Sequence, residues 1–187
     1  MVEKFAKFIS DVFSPPVVGT LILLSTPLRH PQVGWPATMV ATFFVTLIPW
    51  AALIWMRIRG LVTDIHVTRR HQRWPLLIIA LISILVGISV LLAMSVPEQL
   101  IAEVLFLLAG LIIVGVVNLF WKLSVHAAVI TFAALHCLLP LPGGAQMAVA
   151  LIALVGWARI HITHHSPTQV AAGTLVGVLV SVGDLLP

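Results

Sequence analysis

Residues 157–173 read WARIHITHHSPTQVAAG and set Arg159, His161, His164, His165 and Gln169 between two long apolar runs. Polar groups are costly there. An Arg, Lys or Asp at the middle of a membrane helix costs roughly 2.5–3.5 kcal/mol on insertion scales, so ionisable residues kept at membrane depth point to a function. Two further stretches carry related chemistry: Asp64 to Arg73, which includes His66 and Arg70, and Lys122 to His126, which includes Ser124. An arginine is a planar fork of donors that matches phosphate oxygens two at a time, and a lysine adds a compact charge. Two imidazoles facing one another across a phosphate would let one attack phosphorus while the other protonates the leaving oxygen. No metal or other cofactor is required for this, because fixed cations and backbone donors can stabilise the charge on a transferring phosphoryl group.

The elements that must position these residues are membrane helices. The chain has 187 residues, 60% of them hydrophobic and 9% charged, with a mean hydropathy of +1.15. A soluble domain carries about 25% charged residues, so a soluble globular protein is excluded. Pro, Gly, Trp and charge divide the chain into seven expected spans: Val12 to Leu28, Pro36 to Met56, Pro75 to Val96, Leu100 to Phe120, Val125 to Leu139, Gly144 to Ala158 and Val170 to Leu186. The fifth and sixth are short for spans, and Pro15-Pro16 makes the first the weakest. MVEKFAKFISDVF before it is amphipathic and suits the interface plane. Lys4 and Lys7 ahead of VVGTLILLS resemble a secretory signal, but no small-x-small cleavage site follows, so the segment reads as a retained first span. Gly173 and Gly177 form a small-residue face that suits close helix packing and leaves room for a homo-oligomer. Cys137 stands alone in an apolar run and has no disulfide partner.

Alternate loops share a membrane face, so the three polar stretches, which follow spans two, four and six, are expected on one side. That side also holds Lys4, Lys7, Arg57, Arg59, Arg69 and Arg70, against Arg29 opposite, and the positive-inside rule makes it cytoplasmic. Five of the tryptophans, Trp50, Trp55, Trp74, Trp121 and Trp157, fall near the same interface, where an aromatic belt belongs. The formal charge of +4 and pI ≈ 10.3 are accounted for by these loop residues. No basic run is interleaved with aromatics, so nucleic acid is not an expected partner.

The spacing Arg159, five residues, His165, three residues, Gln169 resembles the third signature of the type 2 phosphatidic acid phosphatase (PAP2) family: Ser-Arg, five residues, His, three residues, Asp. Leu123-Ser124-Val125-His126 is similar to its second signature, Pro-Ser-Gly-His, and His66 to Pro75 to its first, Lys, six residues, Arg-Pro. The resemblance runs from about Asp64 to Gly173 in the family's order. It implies an all-α, polytopic transmembrane helix bundle: a single membrane domain over 1–187, with an interfacial segment and first span at 1–28 and a six-helix PAP2-like core at 36–186. By the same resemblance His165 is the nucleophile carrying a transient phosphohistidine and His126 the general acid. Gln169 stands behind His165, while Arg159, Arg73, Lys122, Ser124 and Arg70 bind phosphate, with Asp64 and His66 as auxiliaries. The implied activity is metal-independent removal of phosphate from a lipid in the cell membrane, such as phosphatidic acid, phosphatidylglycerol phosphate or a polyprenyl (pyro)phosphate.

Several positions depart from the family pattern. His66 falls where the first signature has lysine, and Trp74 separates Arg73 from Pro75; Lys122 or Arg70 would supply the missing cation. Val125 replaces a glycine and gives up its positive-φ freedom. Ala158 replaces a serine, removing one hydrogen bond to phosphate worth about 1 kcal/mol. Gln169 replaces an aspartate, and in serine proteases the comparable loss costs about four orders of magnitude in rate. Asp64 compensates, turnover is slow, or catalysis has been lost. Two other functions stay open: non-hydrolytic binding or transport of a lipid phosphate, and lipid phosphotransfer through the same histidine. His161, His164 and His165 also admit a metal patch, although no cysteine or carboxylate nearby completes a ligand set. Arg159, His165 and His126 could instead be polar glue between helices.

Overall fold

A computed structural model describes residues 1–64, 67, 69–162 and 165–185, leaving aside the side chains of 70, 184 and 185. It is all-α, with no strand among the described residues. In chain order the elements are α1 (Val2–Val12), α2 (Pro15–Arg29), α3 (Trp35–Thr42), a π-turn (Phe43–Leu47), α4 (Ile48–Ile58), a 3-10 turn (Arg70–Gln72), α5 (Arg73–Ala93), α6 (Glu98–Phe120), α7 (Val125–Leu138), α8 (Gly144–His161) and α9 (Pro167–Leu185). Among the described residues, four stretches are long and apolar enough to cross a membrane: Trp35–Ile58, Arg73–Ala93, Glu98–Phe120 and Gly144–His161. Counting α1 and α2 as one broken span makes five, and α7 and α9 are shorter apolar helices. The protein is therefore an all-α, polytopic membrane protein.

Two expectations need correcting. The sixth span does not stop at Ala158. It continues through Arg159 to His161 and reaches 18 residues, so Arg159 lies inside a helix and not in a loop. The first span does not begin at Val12. The chain breaks at residues 13–14, and α2 starts on Pro15, where a missing N–H costs nothing because the first helical turn leaves it unbonded anyway.

The described chain gathers into two compact units, residues 1–18 with 116–187, and residues 19–115. In the second unit, Leu23, Val33, Ala37, Ala41, Ile84, Leu91, Leu100, Val104 and Leu108 build one apolar core. The π-turn there has a chemical cause in Pro49. Ile48 N–H bonds back to the Phe43 carbonyl, and the partner that the Phe44 carbonyl would have next in that register is the proline nitrogen, which has no proton. Ser83 Oγ donates to Phe44 O at 2.6 Å and fills the gap. Gly87, one turn further along α5, lets the helices approach, since a Cβ there would lie 2.6 Å from Phe44 Cβ. Thr38, Thr42 and Thr46 return their hydroxyls to the carbonyls of Gly34, Thr38 and Thr42, which makes them tolerable in an apolar segment.

A buried charge pair sits in the same unit. Glu103 on α6 is 3% exposed and accepts from Arg29 Nη2 and Thr26 Oγ1 on α2. Arg29 also donates to Ser25 Oγ at 3.2 Å and to Ile22 O at 3.3 Å. The carboxylate thus meets both a cation and a hydroxyl, the condition under which an ion pair survives away from water.

In the first unit, α7 packs between α8 and α9. Its 14 residues span only about 21 Å at 1.5 Å per residue, against about 30 Å of hydrocarbon, but most of its length is buried. The small-residue face of α9 is occupied by this packing. A Cβ on Gly173 would collide with the Ser124 carbonyl oxygen, and one on Gly177 with the Ala128 carbonyl and Thr131. Gly173→Ala is expected to cost about 1–3 kcal/mol, because the obstructing atom is backbone and cannot rotate away. Thermal unfolding in detergent tests this, and an unchanged midpoint would refute it.

Candidate active site

Three helix ends carry Ser124, His126, Arg159, His165 and Gln169, all in the first unit. Ser124 caps α7, accepting from Ala127 N at 3.3 Å, and leaves its own hydroxyl proton for another acceptor. Its backbone N–H donates to Gln169 O on α9 at 3.1 Å, joining the start of α7 to the start of α9. His165 N in turn donates to Arg159 O at the end of α8 at 3.3 Å. These bonds tie Ser124 to Gln169 and His165 to Arg159, and His126 lies in the first turn of α7. Arg159, His126 and His165 are 1%, 5% and 6% exposed.

Gln169 bonds to His165 through its side-chain oxygen. Its Oε1 lies 3.2 Å from His165 Nδ1 and accepts from Ser166 N at 3.2 Å. A backbone N–H can only donate, so the atom it faces is the amide oxygen, and Nδ1 must then carry the proton. Nε2 of His165 is left with the lone pair. Gln169 can therefore hold the ring in one tautomer as a carboxylate would, without a carboxylate's charge.

Arg159 holds its guanidinium out of water. Nη1 donates to Ser10 Oγ, and Ser10, on α1, is 0% exposed. Helix α1 buries Ala6, Ile9 and Ser10 and packs on α8, with Phe5 and Trp157 rings 6.2 Å apart. The N-terminal helix thus belongs to the site's surroundings, which the sequence reading missed. The signal available was Ser10 at helical spacing from Ala6 in an otherwise charged and apolar amphipathic segment.

Lys122 is half-buried in the non-helical stretch before Ser124. His161 stacks on Trp157 at 5.3 Å, and His136 stacks on Phe132 at 5.2 Å. His164, a member of the expected histidine patch, lies outside the described residues.

Arg73 and Asp64 belong to the other unit. Arg73, 6% exposed, donates from Nε to Val67 O at 2.9 Å. Val67 has φ 44°, a conformation that a β-branched residue rarely adopts, and the arginine helps to hold it there. Asp64 accepts from Thr63 Oγ1 at 3.1 Å and acts electrostatically on Arg73. A cleft of about 310 Å³ beside this loop is lined by Trp55, Met56, Leu61, His71, Gln72, Pro75 and Ile79. The Arg70 side chain and all of His66 lie outside the described residues.

Comparison with protein-family models, curated proteins and solved structures returned no match.

Proposed function

We propose that the protein is a PAP2-like lipid phosphatase of the cell membrane, with its site toward the cytoplasm. The observation that carries this reading is the His165 Nδ1 to Gln169 Oε1 contact at 3.2 Å, which leaves Nε2 as the nucleophilic nitrogen. In the reaction Nε2 attacks phosphorus, the phosphorus–oxygen bond to the lipid breaks, and His126 gives its proton to the leaving oxygen. Water, deprotonated by His126, then attacks the phosphohistidine, releases orthophosphate and restores both imidazoles. Arg159 and Lys122 neutralise the equatorial oxygens, and Ser124 offers a hydroxyl. Phosphatidic acid, phosphatidylglycerol phosphate and polyprenyl (pyro)phosphates are the substrates this reading favours.

The test is orthophosphate release from phosphatidic acid and from a prenyl diphosphate, with purified full-length protein in detergent and chelator. Vanadate-sensitive release is the expected result, and its absence from every lipid phosphate offered would overturn the reading. The neutral amide behind His165 favours a second reading, non-hydrolytic binding or transport of a lipid phosphate, which would appear as saturable lipid binding without release. Label passing to a second lipid would indicate phosphotransfer.

Gln169→Asp measures what the amide withholds. An aspartate can accept from Nδ1 and also stabilise the positive charge that the ring gains during attack, so release is expected to rise by about two orders of magnitude or more. A fall in rate would show that the amide has a role of its own.

A further inference from the structure

We infer that Ser10, on the N-terminal helix α1, is a phosphate-binding residue of the site. This rests on the phosphatase reading for the identity of the anion. Ser10 is 0% exposed, and its Oγ accepts from Arg159 Nη1. That bond uses an oxygen lone pair only. The hydroxyl proton finds no acceptor among the described residues, and a buried donor left in this way costs about 1–3 kcal/mol. A hydroxyl whose lone pair is turned to a guanidinium and whose proton is uncommitted meets the needs of an anion: the cation supplies charge, and the hydroxyl donates to an adjacent oxygen. Residue 158, beside Arg159 on α8, is an alanine and offers no hydroxyl. Ser10 places one next to the same guanidinium from a different element.

The packing of α1 supports this assignment. Its inner face, Ala6, Ile9 and Ser10, is buried, while Phe5, Phe8 and Val12 are 51%, 60% and 41% exposed. Lys4 and Lys7 are exposed as well. An amphipathic helix of this kind lies at the level where lipid headgroups lie, with its apolar residues toward acyl chains. Ser10 is the polar residue on its protein-facing side.

Orthovanadate serves as the probe, since it resembles the transferring phosphoryl group and its affinity can be read with or without turnover. Ser10→Ala is expected to weaken vanadate binding about tenfold, the loss of one hydrogen bond to a charged group, while the melting temperature stays within a few degrees of wild type. Vanadate affinity equal to wild type would overturn the inference, whatever happened to stability. If stability and affinity fall together, the Ser10→Ala/Ala158→Ser double variant decides. Recovered affinity supports a hydroxyl beside Arg159 as the operative group, and no recovery counts against it. A wild-type protein that neither releases phosphate nor binds vanadate sinks the phosphatase reading. One that does either, with Ser10→Ala unchanged, sinks only the role of Ser10.

Discussion

His165→Ala is expected to lower phosphate release by about four orders of magnitude or more, to the background of the assay. Alanine keeps the helix ends in place but removes the atom on which the phosphoryl group would rest. His126→Ala is expected to behave differently, and the contrast makes the test specific. If His126 protonates the leaving oxygen, its loss should slow first-turnover release of the leaving group severely for an alkyl phosphate and much less for p-nitrophenyl phosphate, whose leaving group departs without a proton. Later turnovers, which need His126 to activate water, should slow for both. Quenched reactions with labelled p-nitrophenyl phosphate should trap phosphohistidine in His126→Ala and none in His165→Ala. Equal first-turnover losses on both substrates, with label trapped in both variants, would refute the assignment of roles.

Glu103→Ala is expected to destabilise the protein by about 3–5 kcal/mol, the largest effect of any substitution outside the site. The loss would come less from the missing attraction than from the arginine left behind. Arg29 would keep its charge while losing this carboxylate. Truncating both, as in Arg29→Leu/Glu103→Leu, should recover most of the loss, because a well-packed apolar pair avoids desolvating two ions. Unfolding by denaturing detergent in mixed micelles measures both variants. A single variant as stable as wild type, or a double variant worse than the single, would show that the pair does not hold α2 to α6.

How much was legible in the chain differs by residue. The helical class and the apolar runs were readable, because hydrocarbon forces the backbone to satisfy its own hydrogen bonds and the runs announce it. Ends were less readable. Arg159 was placed in a loop because it is charged, yet α8 carries it by burying the guanidinium against Ser10 of α1. That contact joins residues 149 positions apart, and no local pattern encodes it. The pairing of Gln169 with His165 was expected from the family resemblance, and it is made where the chain enters α9, with His165 two residues ahead of the helix. Glu103 was overlooked although it is a carboxylate inside an apolar helix, because its partner Arg29 is remote in the chain and reads as a loop end. The π-turn before Pro49 also escaped notice. Its proline was visible, but the hydroxyl that compensates for it comes from Ser83 on another helix.

The short α7 bears on which lipids could be served. A helix of about 21 Å bordered by lipid would pinch the bilayer, whereas one packed within protein can begin well beneath the headgroup plane at no such cost. If Ser124 and His126 start that deep, a phosphate must sink past its neighbours and shed much of its hydration to reach them. Slender headgroups can make that descent; a phosphate flanked by a bulky polar substituent would have to drag it into oil.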